Sequence, residues 1–166
     1  MEKTIIDFSS PDELYRWEII NDAVMGGVSS SRIEILDKKA ALFQGEVSLE
    51  NYGGFASMRT LSQEFELEDF IGLIVRVKGD GKDYRLRLRT DSDYDGIAYQ
   101  ALFSTEQDKW ITARLSFDAF TPVYRGMIVN DATDLDVSKV RRIGFMIADK
   151  QEGIFKLEIE WIKAYA

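Results

Sequence analysis

The chain has 166 residues, 45% of them hydrophobic, and a formal net charge of -8, which suits one ordinary globular domain spanning residues 1–166. The acidic balance argues against nucleic-acid binding. Cysteine and histidine are both absent, which excludes disulfides, thiol nucleophiles, Cys/His zinc sites, serine–histidine triads and imidazole switches.

In chain order, Thr4–Phe8 reads as the first strand. Ser10-Pro11-Asp12-Glu13 has capping-box spacing with proline at the first helical position, which predicts one short helix. Trp17–Ile20 is the next strand, and it runs into NDAVMGGVSS, residues Asn21 to Ser30. The adjacent Gly26 and Gly27 allow close approach to the main chain, so spacing alone indicates a tight connection between strands. Neither GxxxxGK[ST] nor GxGxxG is present, so this is not a phosphate-cradling loop.

Further strands are expected at Arg32–Leu36, Ala41–Leu49, Phe55–Thr60, Gly72–Lys78 and Tyr84–Thr90. The last two are separated by Gly79-Asp80-Gly81-Lys82, which reads as a hairpin turn. Strand alternation then puts Arg85, Arg87 and Arg89 on one face. If Lys78 pairs with Asp83, Arg76 lies opposite Arg85 and Ile74 opposite Arg87, and Arg76 and Lys78 join the same face. Like charges facing each other are destabilising, by up to about 1 kcal/mol per pair. Two readings account for the row: a neighbouring acidic ladder, with Glu46 and Glu50 or Glu158 and Glu160 as candidates, or a surface built to grip oxygens of a ligand or partner.

Asp91-Ser92-Asp93-Tyr94-Asp95-Gly96 copies the first half of an EF-hand loop, but position twelve is Leu102 where a glutamate is required. Either Asp91, Asp93 and Asp95 hold a structural calcium ion, or they form a solvated acidic turn. In the strand Ile97–Phe103, Tyr99 shares its face with the apolar residues, and Gln100 points with the arginines if that strand borders them. Trp110–Leu115 follows, then a single helical turn around Asp136–Val140, then the strand Arg142–Ala148. Asp149-Lys150-Gln151-Glu152-Gly153 connects to the closing strand Ile154–Ala164. There Phe155, Leu157, Ile159 and Trp161 share the core face, and the strand pairs with Thr4–Phe8. Many short strands with regular turn signals describe an all-β sandwich or barrel. No segment reaches transmembrane length and no signal-peptide run opens the chain. Membrane insertion is therefore not expected, and a cytoplasmic location is.

NDAVMGGVSS, Asn51-Tyr52-Gly53-Gly54-Phe55-Ala56, RLRLRTD at Arg85 to Asp91, Ile97-Ala98-Tyr99-Gln100 and IADKQEGIFKLEIEWI at Ile147 to Ile162 together resemble the complex I intermediate-associated protein family. The resemblance implies a galactose-binding-like jelly-roll β-sandwich. It also implies a non-catalytic binding or assembly role, since the family's mitochondrial members are assembly factors for respiratory complex I. The surface expected to meet a protein, polar or carbohydrate ligand joins Asn21, Asp22, Met25, Gly26, Gly27 and Ser29 to Arg76, Arg85, Arg87, Arg89 and Gln100, with Asp149, Lys150 and Gln151 nearby. A carbohydrate-binding module is the second reading. A carboxylate- or cofactor-dependent enzyme is the third, because carboxylates, Lys and Tyr remain available for catalysis.

Overall fold

The computed structural model describes residues 1–22, 27–50, 53–90 and 96–166. Its strands form two antiparallel sheets. The first contains β1 (Glu2–Asp7), β3 (Ser30–Leu36), β4 (Ala40–Val47), β6 (Gly72–Lys78), β9 (Trp110–Ser116) and β13 (Gly153–Tyr165). Their order is β3-β4-β13-β6-β9, with β1 also paired to β13. The second contains β2 (Trp17–Asn21), β5 (Ala56–Thr60), β7 (Asp83–Arg89), β8 (Ala98–Ser104), β10 (Thr121–Tyr124), β11 (Met127–Ile128) and β12 (Arg142–Ile147). Its order is β11-β10-β8-β7-β12-β5-β2. The architecture is the jelly-roll sandwich expected from the sequence.

The two sheets share a core because alternate residues of each strand face inward. Leu73, Val75 and Val77 of β6 and Leu157 and Ile159 of β13 meet Leu86 and Leu88 of β7 and Ile143, Phe145 and Ile147 of β12. Burying each such aliphatic or aromatic side chain contributes about 1.5–3 kcal/mol. Aromatic contacts reinforce the stack, with Trp17 beside Phe8 at 5.3 Å and Phe103 edge-on to Phe145 at 6.2 Å between ring centroids.

Several expectations are corrected. β6 and β7 do not form a hairpin. β6 is flanked by β13 and β9, whereas β7 is flanked by β12 and β8. Residues 79–82 instead cross between the sheets, pinned by Asp80, which accepts from the Lys156 amide at 2.8 Å and the Tyr84 hydroxyl at 3.0 Å. Arg76 therefore lies on the outer face of the first sheet, away from the row of β7. The β1–β13 pairing is present, but a register shift between Ile159 and Trp161 reverses the alternation of β13. Ile162 and Ala164 take over the core face, and Trp161 is only partly buried. The short helix after Pro11 is a single 3-10 turn, Glu13–Arg16, without a side-chain cap. Glu13 turns inward and accepts from the Asp7 amide at 3.1 Å and the Trp17 indole at 3.3 Å, and burial pushes its carboxyl above the usual range. A second 3-10 turn, Val137–Lys139, forms where expected, with Asp136 accepting from the Ser138 amide at its start.

Candidate functional site

The outward face of the second sheet carries a groove of about 580 Å³. One transverse row of partners runs across it: Gln100 on β8, Arg87 on β7, Gly144 on β12, Arg59 on β5 and Glu18 on β2. Each follows from alternation, since the residues on either side of Arg87 and Gly144 fill the core. Gly144 leaves the middle of that row without a side chain. A Cβ there would lie 2.6 Å from the Met58 carbonyl oxygen and 3.0 Å from the Arg59 Cβ. The backbones are thus packed too closely for a larger residue, and the space above stays open between two arginines.

Arginines converge on this space. The lining contains Arg59, Arg85, Arg87, Arg89, Arg125 and Arg142, and no acidic residue among the described residues. The chain's 21 basic residues are eleven arginines and ten lysines, and no lysine contributes to the lining. Apolar side chains, including Ile20, Phe55, Val123 and Met146, make up much of the remainder. The β10–β11 hairpin forms one wall through Arg125 and Gly126, both at positive φ (48° and 81°), the conformation a two-residue type I′ turn requires. Sequence reasoning missed this hairpin because Pro122 demotes a strand and Arg-Gly is an uncommon turn pair.

Among the described residues, countercharge is sparse and stands at the margins. Glu18 serves both Arg59, at 2.9 Å, and Arg142, at 3.1 Å. Arg85 pairs with Asp149 and reaches Gln100 Oε1 at 3.4 Å. Arg87 makes no ion pair with any described residue, and its Nε is buried without a hydrogen-bond partner, as are those of Arg85 and Arg142. Burial first, and then the charges of Arg89, Arg85 and Arg59, push the Arg87 guanidinium down from the ordinary arginine range to about 10. The acidic ladder does not reach this face. Glu158 instead pairs with Lys78 at 3.2 Å, and Glu160 with Arg76 at 4.0 Å, both on the other sheet. Glu46 is also on that sheet, in β4.

The expected loop residues have specific positions. Asp22 is fully buried. Its carboxylate accepts from the Ser29 amide at 2.9 Å, the Ser29 hydroxyl, the Gly54 amide at 2.7 Å and the Phe55 amide at 3.3 Å. Cβ atoms at Gly27 and Gly53 would come within 2.5 Å and 2.4 Å of that side chain, so close approach to one carboxylate accounts for both glycines. Asn21 Oδ1 accepts from the Ser31 hydroxyl at 2.8 Å and the Ser57 amide at 3.4 Å. This knot holds Gly53, Gly54 and Phe55 against the groove as its second wall. Gln151 clasps the start of β7, accepting from the Asp83 amide at 2.9 Å and donating to the Asp83 carbonyl at 2.8 Å. Lys150 is exposed, at a φ of 59°. Tyr99 is buried and donates to the Thr133 carbonyl at 2.7 Å. Met25 and Gly26, and the candidate calcium ligands Asp91, Asp93 and Asp95, lie outside the described residues.

The family model of "Complex I intermediate-associated protein 30" matches residues 6–159. Relatives named mitochondrial complex I intermediate-associated protein 30 are 27% identical in Drosophila melanogaster, over 95% of this chain and 61% of the relative, and 24% identical in Mus musculus, over 98% and 56%. The chain therefore spans about three fifths of the length of these two relatives. Those names point to mitochondria and overturn the expected cytoplasmic location. Among solved structures, a family 11 carbohydrate-binding module of a cellulosomal cellulase from Clostridium thermocellum superposes with a TM-score of 0.75 at 16% identity, covering 100% of this chain and 95% of that one. The same family's module in complex with a β-1,3-1,4-mixed-linked tetrasaccharide gives 0.74 at 17% identity, covering 99% and 95%. At such identities the likeness establishes the fold alone.

Proposed function

The chain belongs to the complex I intermediate-associated protein 30 family, and from that premise we propose that it is a non-catalytic binding module whose ligand or partner docks in the arginine-lined groove. The observation that carries this reading is Arg87. A guanidinium held among Arg59, Arg85 and Arg89 with no described countercharge weakens the fold that contains it. A group arriving from outside offsets that cost. In this reading Arg85, Arg87, Arg89 and Gln100 meet the partner directly. Asn21, Asp22, Gly27 and Ser29 hold the Gly53–Phe55 wall, while Asp149 and Gln151 set the direction of Arg85 and the start of β7. Arg76, on the opposite face, takes no part.

The family name supports a complex I assembly role, which this reading places on the groove. The test is affinity capture from mitochondrial extract with the unmodified protein and with Arg87→Gln. Recovery of NADH:ubiquinone oxidoreductase subunits by the first and their loss with the second is the expected result. Equal recovery by both would exclude the groove as the docking surface.

The carbohydrate reading rests on the superposition with sugar-binding modules. Among the described residues, the aromatic content of the groove does not favour it. A sugar-stacking platform needs an exposed ring; among the described residues the aromatic side chains of the lining are the partly buried Phe55 and the fully buried Phe145, while Tyr52 and Tyr94 lie outside the described residues.

A further inference from the structure

The choice of cation in the groove narrows the chemistry of its occupant. Six of the chain's eleven arginines line it and none of its ten lysines does. A lysine is a compact point charge, whereas arginine presents a rigid planar fork that matches the paired oxygens of a carboxylate or phosphate. The forks are incompletely used from within: the Nε atoms of Arg85, Arg87 and Arg142 are all buried and without partners. They come from adjacent strands: Arg85 and Arg87 from β7, with Arg87 the direct partner of Gly144, and Arg142 from β12, the strand of Gly144 itself. A neutral polyol offers hydroxyls that satisfy donors but brings no negative charge to Arg87, whose Nε has no partner among the described residues. A cavity of about 580 Å³ also falls in the size range of small-molecule sites, roughly 300–1,000 Å³.

The geometry points to an oxyanion-bearing small molecule, a carboxylate or phosphate joined to a partly apolar body, as the occupant of this groove, with Arg87 as its central anchor. The inference rests on the reading that the concave face is the binding surface, and it specifies what binds there. The oxyanion fits over Gly144 between Arg87 and Arg59, and the apolar part lies against Ile20, Phe55 and Met146. An acidic protein concentrating its arginines in one hollow also steers an anion to that hollow, since nearby fixed charges outweigh the distant net charge within a screening length of about 8–10 Å.

Thermal unfolding tests this with pyrophosphate, citrate and a neutral mixed-linked tetrasaccharide, at an ionic strength matched with sodium chloride. The expected result is a rise in Tm of roughly 3–6 °C at ten times Kd for at least one of the two anions. The rise shrinks to below about 1 °C in Arg87→Gln and persists in Arg76→Gln, on the opposite face. Should Arg87→Gln fail to fold, phenylglyoxal labelling of the unmodified protein, read by mass spectrometry, replaces it: the anion should block modification of Arg87. A rise that is equal in Arg87→Gln, or labelling of Arg87 that no anion blocks, overturns the inference. If the tetrasaccharide binds through Arg87 while both anions are silent, the oxyanion inference falls and the concave-face reading stands. If none of the three binds, the inference also falls, and the capture experiment alone decides whether this face meets a protein.

Discussion

Arg87 and Gly144 are direct partners across the β7–β12 ladder, and the missing side chain of one creates the hollow that the other lines. Gly144 is also the partner of Arg59 on β5, so one glycine separates two arginines in a single transverse row. The prediction is that Gly144→Ala harms both stability and binding. Its Cβ would lie 2.6 Å from a carbonyl oxygen of β5, and overpacking of this kind costs about 1–3 kcal/mol. Urea unfolding should show that loss, and an unchanged midpoint would mean that the backbone gives way freely at this point.

Titration of Arg87 supplies a second prediction. Its folded value lies near 10, below the ordinary arginine range, so the folded protein holds this proton less tightly than the unfolded chain does. The penalty is therefore present in full below about pH 10 and fades as pH rises from there into the ordinary arginine range. The drop corresponds to a ceiling of roughly 3 kcal/mol. Partial solvent access reduces it, and about 1–2 kcal/mol is expected at pH 7. The groups facing Arg87 are Arg59, Arg85 and Arg89, with Gln100 and Gly144 as its strand partners. The stability advantage of Arg87→Gln over the unmodified protein should accordingly narrow between pH 9 and 10.5. An advantage that is flat or growing over that interval would contradict the assignment of the penalty to Arg87.

Asp22 is predicted to be the costliest single position in the NDAVMGGVSS segment. Its carboxylate accepts from two residues flanking the groove wall, Gly54 and Phe55, and from the amide and hydroxyl of Ser29. Asn in its place offers one acceptor oxygen and turns an NH₂ group toward donors. Hydrogen bonds to a charged group contribute about 1.5–3 kcal/mol each, so a loss of roughly 3 kcal/mol is expected for Asp22→Asn in chemical denaturation. A loss below about 1 kcal/mol would show that the wall does not depend on this carboxylate.

Arg76→Gln serves as the contrast. Its pair with Glu160 spans 4.0 Å and its side chain rests over the Trp110 ring at 5.5 Å. Such partly exposed pairs contribute about 0–1 kcal/mol. A small change in the unfolding midpoint, and undiminished capture of complex I subunits, are the expected outcomes.

The strands were legible because their alternation is a local property: Leu86 and Leu88 pointing inward force Arg85, Arg87 and Arg89 outward. The identity of the neighbouring strands was not legible, and it determines the site. Arg59, Arg142 and Gly144 reach the groove because β12 lies beside β7 and β5 beside β12, a pairing set by packing between residues more than fifty positions apart. The same limitation misplaced Arg76: a glycine-rich tetrapeptide suits a hairpin and a crossover equally, and only the filled edges of β6 and β7 distinguish them. Alternation alone puts Trp161 in the core, because a bulge leaves no mark in the pattern. The glycines of NDAVMGGVSS signal a close approach to something; for Gly27 that something is the Asp22 carboxylate.

The most direct test of the account is the sign of two quantities measured on Arg87→Gln against the unmodified protein: the free energy of unfolding at pH 7 and the affinity for whatever the groove captures, anion or complex I subunit. Opposite signs, with stability raised and affinity lowered, are predicted. A fall in stability accompanied by unchanged affinity would make Arg87 an ordinary structural arginine and contradict the claim that this groove is built for an external group.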